Sequence, residues 1–390
     1  MSSTRSRKPE APASSSPRIL DADTIGEPDG FRTETARRTA RYLIPLMRQG
    51  PEFFIDNARV RMLALTLDDL LLPLVIADGA RGNSNVCSPG SHYIDYAQAE
   101  LTRFGPPLLG PLLGSALSLL GISLKCLGLD RVVYVNNFLW TTNPWPELSR
   151  AQLDAITRHL ATAYPDHAIV LRSINPDFQP GLARALTHNG YETISSRKVY
   201  LFDGLTGDCM KRGNLLQDMK LLRKGSYEII EDDRFARKDV ESMTRFYRDL
   251  YLGKYPTLNP QFNERFFELI WREGILAFDT LRRNGTLVGF TARVVDGGRM
   301  IGCGIGYDMS APRRDGLYRR LMAQFIKRAV QQKLLLNLSG GAGQFKMLRG
   351  GRPTIECDAV YHAHLPVHRR LPWLTLRTLF TETAVGKARD

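Results

Sequence analysis

Cysteine is scarce in this chain: five in 390 residues, at Cys87, Cys126, Cys209, Cys303 and Cys357, with no C-x-x-C pair. That spacing argues against a thiolate zinc site or a disulfide framework and suits a reducing compartment. The apolar core of a secretory leader is missing from Met1 to Pro28, so the expectation is a cytoplasmic protein. Gly114-Ser115 lacks the glycine pattern of a nucleophilic-serine elbow. Ser339-Gly340-Gly341-Ala342-Gly343 looks like a phosphate cradle, yet Lys346 follows Phe345 and precedes Met347, which is not the Walker pattern. That stretch reads as a flexible rim for substrate or as a plain strand-to-helix turn. Acidic residues are the minority charge, 40 against 53 Lys and Arg, and the balance is +13. Such a surface favours polyanions (a phosphorylated cofactor, RNA or an acidic membrane face) without choosing among them. Charge is absent altogether from Phe104 to Leu124. Pro106, Pro107 and Pro111 argue against a bilayer span there; the stretch is expected to form a buried helical hairpin, to line a channel for a long acyl chain, or to dock on a membrane.

What is present is the composition of an ordinary globular protein, 43% hydrophobic and 24% charged, long enough for two or three domains of roughly 150 residues. Residues 1–30, rich in Ser and Pro, are expected to be a disordered tail, and 369–390 a basic tail. Between them strands alternate with helices, first over 31–207 and again over 208–368, which predicts an α/β chain with a mixed α+β sheet and helices on both faces. In the first half a basic helix (Arg32 to Gln49), two strands around Asp68-Asp69, and a helix capped by Ser149 stand out. The second half has two helices and then a meander turned at Arg283-Asn284-Gly285 and Asp296-Gly297-Gly298, strong hairpin signals. A helix from about Gly316 follows, then a strand, a short helix near Phe345 and a last strand ending at Tyr361.

Between the third meander strand and its helix lies Arg313-Arg314-Asp315-Gly316-Leu317-Tyr318. A strand that feeds a helix through a glycine aims free N–H groups and the positive helix end at one spot, which suits a phosphate. The element order from about Gly225 to His364 resembles the acyltransferase superfamily of Gcn5-related N-acetyltransferases (GNAT). The first four positions match its pyrophosphate pattern Q/R-x-x-G-x-G/A, while Tyr318 replaces the small last residue. The first half looks like a degenerate copy, so the whole resembles the tandem Fem-type transferases.

The resemblance implies two tandem GNAT-like domains and an N-acyltransferase in which an amine attacks a thioester directly, with no metal. The donor is expected to be acyl-CoA or an acyl carrier protein, and the acceptor a small amine or amino acid. Gly306, Arg313, Arg314, Gly316, Leu317 and Tyr318 would hold the donor. Asp308 is the candidate base, and Tyr307, Tyr361 or Lys346 the group that meets the leaving thiolate. Tyr251, Lys254, Tyr255, Asn259 and Ser339 are the acceptor-side candidates. The Fem-type alternative is a tRNA-borne aminoacyl donor, for which the basic run Lys211, Arg212, Lys220, Arg223 and Lys224 would supply phosphate contacts. A catalytically inactive module binding RNA or acidic lipid through that run is the alternative from another class. His362, His364 and His368 form H-x-H-x-x-x-H, but Pro366 interrupts any shared face and no metal is expected.

Overall fold

Turn chemistry explains the central meander. Asn284 and Gly285 sit at φ 51° and 77°, and Gly297 and Gly298 at 51° and 76°, left-handed values that a two-residue hairpin demands. The computed structural model describes residues 16–104, 110–233, 235–253, 255 and 257–381. The first half comprises β1 (Arg18–Leu20), α1 (Glu34–Gln49), β2 (Arg61–Leu67), β3 (Leu70–Asp78), α2 (Tyr96–Phe104), α3 (Gly110–Cys126), β4 (Arg131–Val135), α4 (Arg150–Ala163), β5 (Ala168–Ile174), α5 (Pro180–His188) and β6 (Glu192–Asp203). The second comprises α6 (Gly213–Leu222), β7 (Tyr227–Ile230), α7 (Lys238–Tyr247), α8 (Glu264–Arg272), β8 (Ala277–Arg283), β9 (Thr286–Asp296), β10 (Arg299–Tyr307), α9 (Leu317–Gln331), β11 (Leu335–Asn337), α10 (Gly343–Met347), β12 (Arg352–Tyr361) and α11 (Val367–Leu379).

All strands join one twelve-stranded mixed sheet in the order β1-β2-β3-β4-β5-β12-β6-β11-β10-β9-β8-β7. Its centre is palindromic. The unit β4-α4-β5-α5-β6 has the same order as β10-α9-β11-α10-β12, and β4 runs parallel to β5 as β10 does to β11. Each half then exchanges its last strand: β5 pairs with β12, β11 with β6, and β12 with β6. The tandem halves are therefore stitched together rather than set side by side.

Alternation of side chains divides the apolar residues between the two faces. On one face a continuous core runs under both halves and collects α1, α3, α7, α8 and α11 through residues such as Leu43, Leu124, Phe246, Phe267 and Trp373. The opposite face carries two separate cores, one under α4 and α5 and one under α6 and α9.

Three segments depart from the sequence expectation. Within the expected tail 1–30, β1 pairs with β2, because Leu20 is buried and Ile19 packs on the core beneath α4; residues 1–15 lie outside the described ones. Within the expected basic tail, α11 forms because Trp373 and Leu376 insert into the shared core. The uncharged stretch is not buried as expected, and its residues 105–109 lie outside the described ones. Only one stripe of α3 faces the protein, and Leu112, Leu113, Leu119 and Ile122 stay exposed.

Candidate functional site

The site grows from a parting of strands. β10 pairs with β11 only over Arg299–Ile301, and β11 stops at Asn337. A bulge at Cys303 then turns β10, which continues along β9 as far as Tyr307. On the other side of β11, β6 extends past it with Tyr200 held by Leu338 and Ser339. A wedge opens between the free edges of β10 and β6, with the loop after β11 as its floor. An extended donor such as a pantetheine arm suits such an opening, because unpaired strand edges offer backbone hydrogen bonds.

At the open end of β10 sits the turn that starts α9. Gly316 adopts φ 64°, and a Cβ there would lie 2.8 Å from Leu221 of α6, so only glycine fits without displacement. Among the described residues no side chain caps α9. Gly316 O accepts from Arg320 N–H at 3.0 Å and the Gly316 N–H is itself spent on Arg313 O at 3.1 Å, which leaves the amides of Leu317, Tyr318 and Arg319 with no acceptor in the helix. Arg313 and Arg314 are exposed beside it. Arg320 is buried and ties the two helices together, donating to the carbonyls of Asp315 (3.0 Å), Lys224 (2.9 Å) and Leu221 while lying over the Tyr227 ring. This contact brings exposed Arg223 and Lys224 to the same corner. The counterpart helix α4 differs sharply. Ser149 accepts from Gln152 N–H, and the Gln152 side chain accepts in return from Ser149 N–H at 3.0 Å. One helix N-terminus is closed by a capping box and the other is left open.

Tyrosines fill the wedge. Tyr318 packs against Tyr307 (ring centroids 6.0 Å apart) and Phe345 of α10 (4.9 Å), and the Tyr251 hydroxyl faces the backbone of Ile305. Burial raises all three phenols, Tyr318 to about 12, so each keeps its proton at neutral pH and can donate it. Gly306 faces the shared core: a Cβ would lie 2.4 Å from the Phe290 ring, so packing alone demands glycine there. Leu317 is a core residue under α9. Asp308 holds its own turn, with Oδ1 accepting from Ser310 N–H (2.9 Å) and Oγ (2.6 Å).

Other candidates occupy different surroundings. Lys346 is buried, and its ammonium donates to the carbonyls of Leu338 (2.9 Å), Ser339 (3.2 Å) and Gly340 (2.7 Å), fixing the floor of the wedge. Tyr361 lies away from the wedge, its ring against Tyr191 and His364. Tyr255 stacks on Tyr96 of α2, with its hydroxyl donating to Glu100. Asn259 donates to Tyr251 O at 2.8 Å and accepts from Asn57 at 2.9 Å through its backbone carbonyl, bracing the segment against the first half. Lys254 lies outside the described residues. The basic run on and flanking α6 is exposed, while the Asp218 carboxylate on the same helix is buried and accepts from Arg319 (2.6 Å) and Arg349 (2.5 Å).

Strand exchange also assembles a buried polar group that sequence order hides. Glu356 and Asp358 of β12 meet Arg197 of β6 and Arg172 of β5, with Tyr93 donating to Asp358 at 3.0 Å and Arg197 to Glu356 at 2.8 Å. Burial pushes both carboxyls up, while the arginines pull them back. A cleft of about 300 Å3 does lie between the halves, lined by Phe138, Trp140 and Arg299 among others. It opens at the first residue of β10, roughly 26 Å by strand rise from Tyr307. Among the described residues no cluster that could hold a metal ion is found.

Residues 211–347 match the family described as the acetyltransferase (GNAT) domain. This part of the chain is a GNAT domain, and its family is one of acyltransferases. The β10 wall of the wedge, the open α9 start and the loop after β11 fall within the GNAT segment, whereas the β6 wall and β12 lie outside it. FemX is similar over 81% of this chain and 90% of its own, at 10% identity and a TM-score of 0.48. A tandem GNAT protein from the clavulanic acid biosynthesis pathway is similar over 88% and 98%, at 11% identity and a TM-score of 0.39. The C-terminal domain of a putative lysylphosphatidylglycerol synthetase from Agrobacterium fabrum is similar over 60% and 79%, at 14% identity and a TM-score of 0.43. No curated protein gives a significant match.

Proposed function

We propose that the protein is an N-acyltransferase of the Fem-like tandem type that takes its acyl group from acyl-CoA or a carrier-protein thioester and moves it to an amine. The observation that carries this reading is the contrast between two equivalent helices: α4 is sealed by Ser149 and Gln152, whereas α9 begins uncapped at Gly316 beside Arg313, Arg314 and Arg223. A diphosphate is the natural ligand of such a corner. The pantetheine arm then runs into the wedge, and Tyr318 turns aside to admit it.

The amine nitrogen attacks the thioester carbonyl, forming C–N as C–S breaks. The ammonium proton leaves to water or to Asp308, whose Oδ2 is not used by its turn, and a half-buried phenol, Tyr307 or Tyr251, protonates the departing thiolate. Lys346 acts by position, holding the floor at Leu338–Gly340. The acceptor enters on the face covered by α2 and by Tyr251, Tyr255 and Asn259.

A second donor, an aminoacyl-tRNA, is favoured by one observation: exposed Lys220, Arg223 and Lys224 extend the positive corner beyond the reach of a single diphosphate. Native mass spectrometry of the full chain with a panel of acyl-CoAs, followed by assay before and after ribonuclease, tests both. Retained acyl-CoA and ribonuclease-resistant transfer are expected; uniformly absent CoA binding with tRNA bound instead would move the assignment to the second donor.

A further inference from the structure

We propose that α3 and α11 together form a docking surface for an anionic lipid bilayer, lying on the membrane rather than crossing it. The proposal stands on the outer surface of these helices and does not depend on the identity of the acyl donor.

Both helices rest on the same side of the sheet. α3 reaches the shared core through Leu117, Leu120 and Leu124, and α11 through Trp373 and Leu376. They are neighbours: Gly128, just past α3, packs against the Arg369 guanidinium so closely that a Cβ there would lie 2.7 Å from it. Much of what they present outward is apolar, beside exposed Ser115, Ser123, Lys125, His368, Arg377 and Thr378. Leu112 is 69% exposed, Leu119 68%, Ile122 61% and Val367 72%, with Leu371 and Leu374 also on the surface. On α11 the residues Val367, Leu371 and Leu374 recur at steps of four and three, the spacing of one helical stripe. Ordinary core packing puts such a stripe inside; here Trp373 and Leu376 hold the inner face and a second stripe is left over.

Charge says what covers it. No Asp or Glu occurs from Leu101 to Leu129 or from Ala359 to Thr381, so neither helix carries a negative group. Among the described residues Arg369 and Arg370 donate to backbone carbonyls, of Asp166 and of Leu365 and Ala363, and make no carboxylate ion pair, although the Asp166 side chain lies close enough to act on Arg369. Lys125 of α3 and Arg377 of α11 pair with Asp95 and Glu192 of neighbouring elements. An apolar face on helices that carry cations and no acid of their own is the make-up of a helix that lies in the interface of an anionic membrane. No helix among the described residues is long and apolar enough to cross a membrane, which agrees with a surface-lying mode.

The test is co-sedimentation of the full chain with vesicles of phosphatidylcholine alone, or with about one-third phosphatidylglycerol. Binding to the anionic vesicles that weakens as salt rises is expected. Leu119→Ser with Ile122→Ser should weaken it by about tenfold for each side chain withdrawn from lipid, and Leu371→Ser with Leu374→Ser likewise. These residues are exposed, so unchanged melting and unchanged transfer to a soluble amine are expected of both variants. Should a variant fail to fold, the salt and lipid dependence of the unaltered chain still decides. Equal binding to both vesicle types, or none, overturns the proposal. So does concentration-dependent dimerisation abolished by the same substitutions, which would assign the face to a second copy, or vesicle binding that survives both double substitutions.

Discussion

Replacing Gly316 by alanine separates a phosphate-binding turn from an ordinary bend. The residue sits at φ 64°, where any Cβ strains the backbone by roughly 1–2 kcal/mol. The new methyl would also approach the Leu221 side chain at 2.8 Å. That neighbour is a flexible chain end, so it yields cheaply, but it yields by shifting α6 against the α9 start. The expected destabilisation is therefore about 1–2 kcal/mol, readable as a few degrees in Tm. Gly274 supplies the control, since it has φ 60° and nothing within 4 Å of its would-be Cβ. Gly274→Ala should carry the same backbone strain and leave donor binding intact. Gly316→Ala should in addition lose about tenfold in acyl-CoA affinity by titration calorimetry, as the amides of Leu317 and Tyr318 that follow it swing off target. If both variants melt alike and bind acyl-CoA like the unaltered protein, the turn is only a bend and the donor site lies elsewhere.

Asp218→Asn leaves Arg319 and Arg349 without their shared carboxylate at a buried position, so a loss of about 3 kcal/mol in urea unfolding is expected. Lys346→Met strips three carbonyls of their donor and should cost about 1–3 kcal/mol; full stability with abolished transfer would instead give the ammonium a direct chemical role. His92 is held well below its ordinary value of 6.5, chiefly by burial, so below that pH the unfolded chain takes a proton the folded chain refuses and stability falls. His92→Gln should flatten this loss by up to about 1.4 kcal/mol per pH unit, measured as unfolding free energy between neutral and mildly acidic pH. Glu356 and Asp358, raised by burial, act in the opposite sense, gaining as pH falls, which is why the comparison with the unaltered chain isolates the histidine.

Local chemistry was the legible part of the sequence. Asn284-Gly285 and Gly297-Gly298 can hardly do other than turn a hairpin, and Ser149 with Gln152 three residues on writes its capping box in plain letters. The open start of α9 was visible for the same reason, since a glycine between a strand and a helix speaks through its neighbours alone. Strand partners were not visible. β12 lies between β5 and β6 because of contacts nearly two hundred positions apart, so the meeting of Glu356 and Asp358 with Arg172 and Arg197 has no local signature. Sequence order suggests a division near residue 207, whereas the pairing of β6 with β11 runs across it. The charge-free stretch misled differently: apolar composition normally means interior, and nothing in composition reveals that α3 has only one stripe to bury. Tyr318, read as a poor fit to a glycine-rich pattern, became intelligible only with Tyr307 and Phe345 around it.

The exchange of terminal strands has a consequence for biosynthesis. As the polypeptide leaves the ribosome, β5 and β6 emerge with a vacancy between them that only residues 352–361 can occupy. Until residues 352–361 have been made, the facing edges of β5 and β6 stay exposed to misregistered partners, so the nascent chain is an obvious client for a chaperone. Once β12 slides in, neither half can open without tearing the other, and the assembly should come apart as one cooperative unit.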